Sequence, residues 1–201
     1  MPTVSRVFTS VPLLAMLSTG PAYAVPACGY ALSEQEKATI NANEVVVRVD
    51  RVGEATRADV TCLGYVDAPP KKIWDVILSD SDYPKIFPNI LVCETRYKKG
   101  NIVHTYSMLD YPWPLPDKWT LNEMVLDQAR WRIDFKRIQG TTKEVIGVWT
   151  LFPDGPRTLV SYRVHIDPGV PLVPRWAVEI GTKTVAPDII KGIRKWIASG
   201  H

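Results

Sequence analysis

The chain is short of what metal and redox chemistry need. It has three cysteines and three histidines in 201 residues. Cys28, Cys62 and Cys93 form no C-x-x-C pair and no Cys/His cluster, so zinc binding and thiol redox catalysis have no support in the sequence. Nucleophile elbow, zinc signature, phosphate loop and dinucleotide fingerprint are all missing. Neither sign of charge dominates, since 24 Lys and Arg stand against 21 Asp and Glu. A nucleic-acid partner requires a concentrated basic face, and Lys98-Lys99 is only a solvated turn, so none is expected. No repeat or low-complexity tract appears. No apolar run reaches the roughly 20 residues needed to cross a bilayer.

The first 24 residues carry a single charge, Arg6, followed by an apolar run from Val7 to Leu17, then Gly20-Pro21 and Ala22-Tyr23-Ala24. That order is a secretory leader with an A-x-A cleavage site. The expectation is a periplasmic or secreted protein. Removing the leader leaves 177 residues and moves the net charge from +3 to +2. In an oxidising compartment two of the three cysteines can bridge and one is left over. The other reading makes Cys62 and Cys93, both in strand-like runs, small buried hydrophobes. With 46% hydrophobic and 22% charged residues, the remainder suits one sizeable core. We divide it into an N-terminal extension, 25–55, holding a short helix and a strand, and a main domain, 56–201.

Ser33-Glu-Gln-Glu36 has the form of a capping box and predicts a helix over 33–43. Val45, Val47 and Val49 begin a strand, and 56–66 returns as a second. Asp67-Ala-Pro-Pro70 stops that strand and opens a helix in which Ile73, Trp74, Ile77 and Leu78 share a side. A short helical turn follows at Asp82–Pro88. Strands are then predicted at 90–97, 101–110, 118–127, 130–138, 143–153 and 157–166. Their links are short and carry Gly100, Gly140 and Gly155, which forces antiparallel neighbours. Alternation is plain in Trp131, Ile133 and Phe135 against Arg132, Asp134 and Lys136, and again in Val160, Tyr162 and Val164. The chain closes on a helix whose Val185, Ile189, Ile193 and Trp196 recur at helical spacing, with pieces at 175–183 and 187–198 separated by Pro187.

Two stretches carry a resemblance. Val66-Asp-Ala-Pro-Pro-Lys-Lys-Ile-Trp-Asp-Val-Ile, followed by Asp80, Asp82-Tyr-Pro and Phe87-Pro-Asn, resembles the strand-to-helix opening of the START-like superfamily, also called SRPBCC or helix-grip. The birch-pollen allergen, polyketide cyclases and coenzyme-Q-binding proteins belong to it. Tyr111-Pro-Trp-Pro-Leu-Pro-Asp-Lys-Trp119 is similar to a run that precedes an Arg-Asp pair in START lipid-transfer domains. Here Lys118 stands for the arginine and Trp119 for the aspartate. The resemblance covers about 56–198. It implies an α+β helix-grip fold, a curved antiparallel sheet wrapped around a long C-terminal helix, with a ligand chamber between them.

Seven Trp and eight Tyr supply rings with a polar tip, suited to a mostly apolar ligand with a few polar groups. Prolines stiffen 111–116, so Tyr111, Trp113 and Trp119 are expected at a rim, as a cover for the ligand or in transient contact with a membrane. The other reading of the same segment is a rigid corner plugging the sheet. The chamber's expected lining is His104, Tyr106, Tyr111, Trp113, Lys118, Trp119, Trp131, Phe135, Trp149, Tyr162 and Ile189. His104, Lys118 or Arg132 would orient the ligand's head. The resulting expectation is a monomeric, non-enzymatic carrier of a lipid, such as a sterol-like molecule, hopanoid, quinone or phospholipid, without cofactor or metal. The alternative is an aromatase, cyclase or hydratase of the same superfamily using Asp110 or His104 as acid or base.

Overall fold

A computed structural model of the chain describes residues 29–51, 58–111, 116–167, 169 and 186–200. The expected leader at 1–24, Cys28, Trp113, the turn at Gly53 and the helical piece at 175–183 lie outside the described residues.

Short links join most consecutive strands, two of them through Gly100 and Gly155 at positive φ, so most of the sheet follows chain order. Its strands are β1 (Val46–Arg51), β2 (Ala58–Val66), β3 (Ile90–Lys99), β4 (Ile102–Leu109), β5 (Lys118–Asp127), β6 (Arg132–Gly140), β7 (Glu144–Asp154) and β8 (Arg157–Asp167). They form one eight-stranded antiparallel sheet in the order β1-β2-β8-β7-β6-β5-β4-β3. The one departure from chain order is the pairing of β2 with β8, Cys62 opposite Tyr162. It arises because two helices interrupt the chain after β2 and carry it across to the far edge. In α2 (Pro70–Leu78) a proline occupies the first turn, where its missing N–H costs nothing, and Ile73, Trp74, Val76 and Ile77 are buried. A 3-10 turn then leads into the short α3 (Tyr83–Ile86).

The last helix, α4 (Ala186–Ala198), lies against β2 on the inner face of the sheet and buries Ile190 and Ile193 completely. Two features fix its position. At Gly192 an added Cβ would stand 2.3 Å from the backbone oxygen of Ile86, so only glycine lets α4 approach α3 this closely. Two residues further along, Arg194 donates from Nε to the Tyr65 carbonyl at 2.6 Å and from Nη1 to the Asn43 carbonyl at 2.7 Å. The result is the α+β helix-grip arrangement.

The N-terminal residues belong to the same body. β1 is hydrogen-bonded along β2 from Val46 opposite Leu63 to Arg51 opposite Ala58, and so becomes the sheet's edge. Helix α1 (Glu34–Asn41) covers the outer face there, where Ile40, Val46, Leu63, Tyr65 and Leu159 make a second, smaller core. The capping box is present: Glu36 N donates to Ser33 Oγ at 3.2 Å, and Ser33 N donates to Glu36 Oε2 at 2.8 Å.

The same carboxylate takes both arms of Arg48, at 2.6 and 2.8 Å. The guanidinium first, and then the backbone N–H of Ser33, hold the Glu36 pKa down at about 2 instead of 4.5. A depressed carboxylate stabilises the fold above its unfolded pKa and loses that contribution as pH falls through the folded value. Unfolding measured between pH 5 and pH 2 is therefore expected to show a loss on the order of 1 kcal/mol from this site, discounted for its partial exposure. Glu36→Gln should flatten that part of the curve. A mutant whose acid limb matches the wild type would remove Glu36 from the account.

Candidate functional site: the concave face

Strand register decides which side chains face the helices. Along β8 the inward positions are Val160, Tyr162 and Val164; across from them on β7 stand Leu151, Trp149 and Gly147, and on β6 Ile133 and Phe135. The rings gather around Tyr162. Trp149 lies 4.3 Å from it between centroids, and Phe135 stacks at 6.0 Å with planes 12° apart. Gly147 makes this possible, since a Cβ there would sit 2.3 Å from Phe135 Cζ. Trp131 meets Trp74 of α2 edge-on at 5.7 Å, and Ile189 packs against the same core from α4.

Tyr111, just beyond β4, and Tyr83 of α3 join this group. Burial pushes the Tyr111 phenol up to about 12 and also raises those of Tyr83 and Tyr162, with Tyr111 and Tyr162 close enough to feel each other. Tyr83 spends its hydroxyl on the Ile77 carbonyl at 2.6 Å. The hydroxyls of Tyr111 and Tyr162 make no hydrogen bond among the described residues. All three tyrosines nevertheless keep part of their surface accessible. Cys62 and Cys93 are free thiols on this face; desolvation raises them to about 12 and about 11. Cys62 donates to the Ala186 carbonyl at 3.2 Å, and Ser107 Oγ donates to Cys93 Sγ at 3.5 Å. A thiol held neutral is an inert packing group, not a nucleophile.

Toward β4 and β5 the inner face becomes polar. Its inward positions there include Thr105, Ser107, Thr120 and Asn122, with Thr120 Oγ1 donating to Asn122 Oδ1 at 2.8 Å. Lys118 shares their side. Opposite Asn122 on β6 comes Arg137, whose Nη2 donates to the Gly140 carbonyl at 2.9 Å and whose buried Nε has no partner among the described residues.

Several expected lining residues face the other way. On β4 the inward set is Val103, Thr105, Ser107 and Leu109, which turns His104 and Tyr106 to the convex face. There His104 Nε2 lies 3.4 Å from Glu123 Oε2 and its ring 4.8 Å from Tyr97. Trp119 follows them outward, 5.8 Å from Tyr106. Arg132 is also on the convex face, its Nε donating to Asp134 at 2.7 Å, so neither it nor His104 meets a head group inside. Asp110 is exposed. Of the expected lining, the concave face brings together Tyr111, Trp131, Phe135, Trp149, Tyr162 and Ile189, with Lys118 at its polar side. Tyr83, Asn122 and Arg137 were not anticipated. Asn122 and Arg137 were open to the period-2 pattern, but Tyr83 in its short helical turn had no periodicity to reveal it.

These features define a helix-grip domain whose sheet presents an aromatic and partly polar inner face to its C-terminal helix. Residues 57–196 match the family described as polyketide cyclase / dehydrase and lipid transport, and the chain belongs to that family. The strand β1 and helix α1 precede the matched segment. Among curated protein sequences none matches. Solved structures share the fold at low identity. The STAR-related lipid transfer protein from Xanthomonas axonopodis is similar with a TM-score of 0.63 and 16% identity over 77% of this chain and 93% of its own. Zhui aromatase/cyclase from Streptomyces sp. R1128 is similar with a TM-score of 0.56 and 20% identity over 72% and 98%. A START superfamily protein from Mycobacterium smegmatis is similar with a TM-score of 0.60 and 14% identity over 70% and 97%.

Proposed function

We propose that the chain is an exported carrier that holds a lipid or similar hydrophobic molecule between the concave face and α4. The observation that carries this reading is Tyr162. It stands on the inner side of the sheet, desolvated enough to raise its phenol, yet it keeps accessible surface and its hydroxyl has no partner among the described residues. A ring that simply filled a core would be closed on every side, and its buried hydroxyl would be satisfied. A wall of a ligand chamber has both features. Transfer of apolar ligand surface from water to such walls contributes roughly 25 cal/mol per Å². The family's description and the lipid-transfer neighbour lend support, and the leader-like first 24 residues support export to the periplasm or beyond.

Protein purified from its own host's exported fraction, without added ligand, should yield a recurring hydrophobic molecule on solvent extraction and mass spectrometry. A consistently empty extract would count against a carrier. The double variant His104→Ala, Asp110→Asn should retain that molecule in the same amount, because one residue faces the convex side and the other is exposed. Loss of turnover on a cyclisation substrate in this variant would establish the enzyme reading instead.

A further inference from the structure

The inner face is graded in polarity, and its polar part carries charge of one sign. We propose that the cargo is an amphiphile with a single anionic head, a carboxylate or a phosphate, gripped by Arg137 and Lys118 with its tail against Phe135, Trp149 and Tyr162; this rests on the carrier reading above.

Register places Arg137 opposite Asn122 and puts Lys118 on the same side as Thr120 and Asn122. All four therefore line the interior at one end of β5 and β6. Among the described residues neither cation makes an ion pair. By register no carboxylate occupies an inward position on any of the eight strands. Asp80 approaches from the helical layer, but it faces Tyr83 and Cys93. The other inward lysine, Lys98, is exposed at the tip of its hairpin. On the sheet Arg48, Arg96, Arg132 and Arg157 each meet a carboxylate, while Arg194 of α4, like Arg137, bonds only backbone carbonyls and keeps one nitrogen buried and unpaired among the described residues. Arg137 spends one arm on a single backbone oxygen and leaves its Nε both buried and unpaired.

A buried guanidinium with an unused donor is costly to desolvate and costs least when an anion arrives with the ligand. Arginine presents its donors as a fork that matches carboxylate and phosphate oxygens, while lysine adds a point charge at the wider end. The hydroxyls of Thr120 and Thr142 lie on the same stretch, and that of Thr142 is buried without a partner. A neutral sterol hydroxyl or quinone carbonyl could accept one of these hydrogen bonds but would leave the charge of both cations uncompensated.

The test uses the full chain with dansyl-undecanoate and its methyl ester, which share a tail and differ in charge. Wild type is expected to bind the acid tighter by about tenfold to a hundredfold, the range of a charge-assisted hydrogen bond. Lys118→Met and Arg137→Met should each weaken acid binding and leave ester binding in place, and the double variant should bring the two affinities together. Arg137→Lys should restore only part of the preference, since it returns the charge without the fork. Melting curves and ester affinity report whether each variant is folded. If wild type binds both probes equally, the anionic head is wrong and the carrier survives. If it binds neither, the carrier reading falls and takes this inference with it. If inorganic phosphate alone stabilises the protein as well as the acid does, the site serves a free anion and the proposal fails.

Discussion

Gly192→Ala is expected to lower the unfolding free energy by about 1–3 kcal/mol, the cost of forcing extra atoms into a packed contact. The sign matters, because in an unencumbered helix the same change gains about 1 kcal/mol. Here the new methyl would meet the Ile86 carbonyl oxygen at 2.3 Å, and that oxygen belongs to backbone that cannot rotate away. The helix must withdraw from α3 or α3 must move. For a chain of this size each kcal/mol lowers Tm by about 2–4 °C. A calorimetric scan showing an unchanged or raised Tm would mean that α4 does not approach α3 as described. Gly192→Val should be worse, since it keeps the clash and adds a branched side chain.

Trp149→Ala is the other large effect, and it separates wall from plug. Trp149 is almost fully buried and its ring lies 4.3 Å from that of Tyr162. Truncating a buried tryptophan costs about 3–5 kcal/mol. If Trp149 also lines the cargo's tail, retention of the extracted hydrophobic molecule should fall by tenfold or more, visible in the mass-spectrometric yield per mole of folded protein. Retention at the wild-type level, with only stability lost, would make Trp149 a plug and move the cargo elsewhere along the inner face.

The fold was legible because its signals are local. Short glycine links and alternation along β6 and β8 are properties of a few adjacent residues, and the strands predicted from them agree with the observed ones within a few residues. The interior was harder. On β4 the period was readable but not its phase: Val103, Thr105 and Ser107 go inside, while the bulkier His104, Tyr106 and Met108 go outside, contrary to what hydrophobicity alone suggests. Phase is set by pairing with β5, where Met124 must meet Val103. The same pairing turns Trp119 outward and Lys118 inward. Arg137 faces Asn122 in the same β5–β6 register as Phe135 and Met124, and only beyond that pair does a bulge shift the partners, so that Leu121 meets Gln139 and Thr120 meets Gly140. A one-residue offset of this kind leaves no mark in composition.

Arg194 holds Tyr65 and Asn43 by charge-assisted hydrogen bonds near one end of α4, whereas the first turn is tied to the sheet by a thiol, a weak donor. Among the described residues the stronger polar tie is therefore the one at Arg194, which makes it the natural pivot. Any swing of α4 would turn about Arg194, with the Tyr65 end of β2 and the loop at Asn43 as its fixed post.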